Sequence, residues 1–212
     1  MTDRLVGISV VGHGKVSAVP DLVLVYVTAN SEASSAAAAN EQASVAMRAM
    51  LAAASSAGVA DADRRTLSMN LSSWRPDVGR PMVFQANQRL LLRLRDVAGS
   101  GEVVQAVLVA GGNNAGLDSF QLTVEDPAPY LDRARDLAMA DARHRADELA
   151  RLAGREVGYV LAVSEGVGGV GGPQPMYRSA KSWVESGDAS APVEGGELEI
   201  DMSVTVEYAW AD

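Results

Sequence analysis

Apolar and polar residues along this chain alternate at a period of two in some stretches and recur every three or four residues in others. Each change of period predicts a new element. Leu5 to Val11 reads as a strand, Gly12-His13-Gly14 interrupts it, and Lys15 to Val19 resumes it; the glycine pair marks a bulge or a close backbone approach. After Pro20-Asp21, Leu22, Leu24 and Tyr26 alternate with Val23, Val25 and Val27. A strand apolar on both sides is expected to be central and covered, or packed in an oligomer. Ser34 to Ala57 is alanine-rich but helical in spacing, with Ala39, Ala43, Met47, Met50 and Ala54 on one face and Gly58 as the stop. Thr66 to Trp74, alternating through Leu67, Met69 and Leu71, and Met82 to Arg95 flank the turn cluster Arg75 to Pro81 and predict a hairpin. A short valine-rich helix is expected over Gly101 to Ala110, then strands over Leu117 to Val124 and Tyr159 to Ser164.

The strongest helical signal lies between those last two strands, from Asp126 to Gly154. Leu131, Ala134, Ala138, Ala142, Leu149 and Ala153 form an apolar stripe made mostly of alanine, which lets a helix lie close against a sheet. Asp126 suits the first free N–H groups, Pro127 a first helical position, and Gly154 a left-handed exit. The cleanest half-buried strand closes the chain: Leu198, Ile200, Met202, Val204, Val206 and Tyr208 point one way, and Glu199, Asp201, Ser203, Thr205 and Glu207 the other. Between the two, a Gly/Pro-rich and then polar stretch over 166–196 predicts a flexible loop of roughly 30 residues, long for a compact domain. The order of elements predicts an α+β fold, a two-layer sandwich in which an antiparallel or mixed sheet is packed by one long Ala-rich helix and a second helix. No boundary interrupts the pattern, so residues 1–212 are expected to form a single domain.

Five segments resemble the SIMPL-domain family, a group with a bacterial branch long labelled a domain of unknown function. They are Val10 to Asp21 (V-x-G-x-G-x-V-x-x-x-P-D, with one extra residue), GVADADRRT from Gly58 to Thr66, Asn87 followed by the short helix and Gly111-Gly112-Asn113-Asn114, Ala134 to Gly154, and Pro192 to Tyr208. Their order and spacing, over nearly the whole chain, are more specific than any one of them. The resemblance implies an α+β domain that self-associates, in some bacterial members into ring- or channel-like assemblies. It also implies periplasmic or envelope proteins linked to stress tolerance and immunogenicity, and a mammalian relative that binds a kinase in inflammatory signalling. It carries over no catalytic residue.

Composition narrows the function classes. Hydrophobic residues make up 48% of the chain and aromatics only 5%, so the core is expected to be Val, Leu, Ala and Met. No apolar run of about 20 residues spans a bilayer. The start, MTDRLVGISVVGHG, lacks the ordered regions of a signal peptide, so a cytoplasmic location is expected, or a periplasmic one if a leader has been removed. The absence of cysteine excludes disulfides and thiolate chemistry. The net charge of −9 is unevenly placed: residues 1–106 carry 10 basic and 9 acidic residues and residues 107–212 carry 8 and 18, an acidic half that argues against nucleic acid as a partner.

Candidate chemistry is sparse. Asp141, His144 and Glu148 share one side of the long helix at three- and four-residue spacing and would be the residues of a divalent metal site. A solvated face laced with i,i+4 ion pairs such as Asp141/Arg145 and Arg143/Asp147 is the better reading. His13 is read as structural rather than as a base. No Gly-x-Ser-x-Gly elbow, phosphate loop or dinucleotide fingerprint occurs. Tyr177 and Trp183, inside the loop, are candidates for contact with a partner or another subunit. The sequence therefore predicts a non-enzymatic, self-associating protein without catalytic residues or cofactor. The alternatives are an adaptor that holds a protein partner through the loop, and a metal-dependent enzyme or metal-binding protein using the Asp141 group.

Overall fold

A computed structural model describes residues 7–166 and 196–211. The loop expected over 166–196 lies outside them apart from its two ends, and so do Tyr177 and Trp183. The elements follow the predicted order: β1 (Gly7–Ala18), β2 (Leu22–Ala33), α1 (Ala36–Ser56), β3 (Arg64–Trp74), β4 (Val83–Leu94), α2 (Ser100–Gly111), β5 (Ala115–Thr123), α3 (Ala128–Leu152), β6 (Val157–Glu165) and β7 (Leu198–Trp210). The fold is α+β, helices layered on antiparallel sheets. Where the sequence suggested one domain around one sheet, the described residues form two compact units, each with its own sheet and core.

One unit comprises residues 7–19, 126–166 and 197–211. Its sheet runs β1-β7-β6, all antiparallel, so the closing strand takes the middle place. The alternation read along β7 is realised: Leu198, Ile200, Met202, Val204, Val206 and Tyr208 are buried. Above them lies α3, with Ala134, Ala138, Ala142, Ala146 and Ala150 at most 1% exposed. The stripe thus follows strict steps of four, and Leu149, expected on it, is 49% exposed. The reason lies in β1. A Cβ on Gly12 would meet the carbonyl oxygen of Ala138 and sit 2.5 Å from the Ala142 nitrogen. One on Gly14 would meet the carbonyl oxygen of Ala134 and sit 2.7 Å from the Ala138 nitrogen. The helix backbone rests almost on the strand, and a leucine in that row would hold it away. The glycine pair is therefore a close approach and not a bulge, since the β1–β7 register runs unbroken from Gly7↔Ala209 to Ala18↔Leu198.

The ends of α3 are capped as its sequence predicts. Asp126 Oδ1 accepts from the Ala128 N–H at 3.0 Å. Gly154 takes φ +66°, and the N–H groups of Gly154 and Arg155 return to the carbonyls of Arg151 and Ala150 at 3.2 and 2.9 Å. That pair of bonds is a Schellman closure.

The other unit spans residues 20–125. Its sheet runs β3-β4-β2-β5. β2 is central, and Val23, Val25, Val27 and Ala29 are wholly buried beneath α1 and α2. Ser35 accepts from the Ala38 N–H to start α1, which buries Ala39, Ala43, Ala46, Met47, Met50 and Ala54. β3 and β4 form the expected hairpin, with β3 outermost. The alternating Leu67, Met69 and Leu71 of β3 are 37%, 61% and 52% exposed, because the strand lies at the sheet edge, beyond the cover of the helices.

Candidate functional site

The side chains that sequence spacing groups together serve different purposes. Asp141, half-buried on α3, turns its carboxylate to the backbone of β1, where Oδ2 accepts from the His13 N–H at 2.8 Å and pairs with Arg145 Nε at 2.8 Å. The His13 N–H holds the Asp141 carboxyl below its ordinary value, and Arg145 lowers it further. His144 and Glu148 are exposed. Among the described residues no three His, Asp or Glu side chains converge as a metal site. His13 and Asp141, read separately in the sequence, are thus joined through a backbone donor that side-chain patterns do not reveal.

A polar ladder that the sequence does not announce crosses the open face of the four-stranded sheet. Residues of β2 alternate with the buried valines there, so Tyr26, Thr28 and Asn30 stand opposite Leu91, Arg89 and Asn87 of β4. Asn87 Nδ2 donates to Asn30 Oδ1 at 2.5 Å, Asn30 Nδ2 to Thr28 Oγ1 at 3.2 Å, and Thr28 Oγ1 to Asp118 Oδ1 at 3.3 Å. Asp118 pairs with Arg89 Nε at 2.9 Å, and that guanidinium covers the Tyr26 ring at 5.3 Å. Farther along, Glu125 accepts from Arg93 at 3.0 Å and from Arg95 at 2.6 Å, while Arg95 also reaches Asp63 at 2.5 Å. The Arg95 hydrogen bond is the main cause that holds Glu125 below its usual range, and Glu125 in turn raises Arg95. Most of these groups hydrogen-bond one another, while Arg89 Nε lies beside Asp118 as an ion pair without a hydrogen bond, and together they fix the face. Sequence pattern picks out Tyr26, Asp63 and Asn87 for other reasons and does not connect them, because their partners lie too far along the chain for any short motif to show.

The feature most open to a partner is β6. It pairs with β7 on one side, and no strand lies against its other edge among the described residues. Tyr159, Val160, Leu161 and Val163 are 72%, 45%, 48% and 52% exposed. Register shifts between Val157 and Ala162 break the pleat, so apolar side chains are exposed along the strand and not on a single face. An apolar, unpaired edge is a template for another chain.

Comparison with known proteins follows the whole of this architecture. The SIMPL family, described as a protein of unknown function (DUF541), matches residues 8–208 and so takes in both units. The 26 kDa periplasmic immunogenic protein of Brucella melitensis is 27% identical over 98% of this chain and 86% of its own length. The uncharacterized protein YggE of Escherichia coli K12 is 29% identical over 93% of this chain and 80% of its own. A cytoplasmic location, expected from the opening residues, is overturned by these relatives. The Brucella proteins are periplasmic by name, and a strand-like start carries less weight than likeness along nearly the full chain. No helix among the described residues is long and apolar enough to cross a membrane. With a match that begins in β1 and ends in β7, the chain belongs to the SIMPL family.

Proposed function

We propose that this chain is a non-enzymatic, self-associating protein of the periplasm that joins further copies of itself through the β6 edge. The observation that carries the reading is the unpaired apolar strand from Tyr159 to Val163. Burying such side chains yields about 25 cal/mol per Å² of apolar surface, and an added strand would also satisfy the open backbone groups. The compartment is supported by the relatives named periplasmic. A role without chemistry is supported by the ladder, whose polar side chains, Arg89 Nε excepted, are hydrogen-bonded to one another.

Light scattering on the purified chain tests it. The wild type is expected to give an assembly, and Leu161→Lys, placed on an exposed edge where a lysine is solvated without strain, a smaller species with an unchanged circular dichroism spectrum. A wild-type monomer at micromolar concentration overturns the proposal, and an assembly indifferent to Leu161→Lys moves the contact elsewhere.

A further inference from the structure

At the C-terminal end of α3 a depression of about 710 Å³ opens beside the start of β6. Three arginines line it. Arg143 and Arg151, with Asp147 between them, stand at steps of four on α3 beside the buried alanine row, and Arg155 follows the Gly154 exit. The framework beneath is closed by hydrogen bonds: Arg155 N–H to Ala150 at 2.9 Å, and Ala211 N–H to the Glu156 carbonyl at 2.9 Å. Two of the guanidiniums are held by aromatic rings rather than by carboxylates alone. Arg143 lies over Tyr208 at 5.5 Å and Arg155 over Trp210 at 5.7 Å. Arg143 also pairs with Asp147 at 3.0 Å, whereas neither Arg151 nor Arg155 has a carboxylate partner among the described residues. On a chain of net charge −9, a lining of three arginines against Asp147 and Glu156 is a local reversal of sign.

We propose that this depression is an oxyanion site that takes a phosphoryl group. Arg143 spends part of its edge on Asp147 and the Gly158 carbonyl, whereas Arg155, stacked on Trp210, keeps its N–H edge free of carboxylates and loses little rotational freedom on binding. One carboxylate satisfies a single fork, whereas a phosphoryl group offers oxygens in several directions and suits forks presented by a helix and by the connection that follows it. A helix C-terminus ordinarily repels anions through its open carbonyls. Here the carbonyls of Leu149, Ala150 and Arg151 are occupied by the N–H groups of Ala153, Gly154 and Arg155, which weakens that repulsion. Asp147 and Glu156 keep the net positive charge of the site small, which favours a single phosphoryl group over a polyanion. The phosphoryl group comes either from a free phosphate compound or from a phospholipid headgroup.

Calorimetric titration of the full chain with sodium phosphate, and co-sedimentation with phosphatidylglycerol vesicles against phosphatidylcholine vesicles, separate these sources. Each is run on the wild type and on the double variant Arg151→Gln/Arg155→Gln, whose fold is checked by circular dichroism. Phosphate binding weakened at least tenfold in the variant supports the site with a free ligand. Vesicle binding lost in the variant, with no binding of inorganic phosphate, supports it with the headgroup. No binding in either arm, or binding the variant leaves unchanged, overturns it.

Discussion

At the scale of single residues, Asp141 shows how a position marked for one chemistry performs another. Its spacing from His144 and Glu148 suggests ligation, but its carboxylate ties α3 to the β1 backbone through the His13 N–H. The sequence shows the acid and hides its donor, because every residue but proline carries the same N–H. The tie has a pH signature. The folded-state carboxyl titrates below its unfolded value of about 3.9, so the stabilisation is fully present above that value and is lost as pH falls through the lower, folded one. Asp141→Asn removes the titration. Urea denaturation across the acid range is expected to show wild-type stability falling more steeply than that of Asp141→Asn below about pH 4, the curves converging at the acid end. Parallel curves would mean that the bond contributes nothing in solution.

Elements were the most legible level, and their failures share one cause. Order, type and approximate limits of every strand and helix follow from periodicity and from stops such as Gly58 and Gly154, both at positive φ. What periodicity misjudged was cover. It places Leu149 and Ala153 on the apolar stripe of α3, yet both are exposed, and the alternation of Leu67, Met69 and Leu71 gives β3 as a strand without showing that they end up exposed. An apolar pattern states which side chains would prefer burial, and only the sheet order states which strands end at an edge. The glycine pair of β1 was the truer signal, since Gly12 and Gly14 are where α3 comes down. Gly14→Ala forces the helix to lift, because the added methyl meets the Ala134 carbonyl oxygen and lies 2.7 Å from the Ala138 nitrogen. Overpacking of this kind costs about 1–3 kcal/mol, to be read as a lower urea midpoint at unchanged slope. A neutral Gly14→Ala would show that helix and strand stand farther apart than described.

At the scale of the whole chain, two cores escaped the sequence for a topological reason. One unit is assembled from residues 7–19, 126–166 and 197–211, so its strands come from both ends and no single linear boundary separates it from residues 20–125. Charge, by contrast, is legible from composition and bears on assembly. Copies that each carry −9 repel, and contacts through Tyr159, Val160, Leu161 and Val163 must form against that repulsion. Raising salt from about 0.01 M to about 1 M shortens the screening length from about 30 Å to about 3 Å. Repulsion between copies then fades while apolar burial does not. Assembly through the β6 edge is therefore expected to strengthen with salt, the scattering midpoint moving to lower protein concentration. Ion pairs between copies would respond in the opposite sense, because screening weakens an exposed attraction as it weakens a repulsion. An assembly that dissolves as salt rises would place its contacts on charged surfaces such as the exposed Arg143–Asp147 face of α3, and would take the apolar strand out of the mechanism.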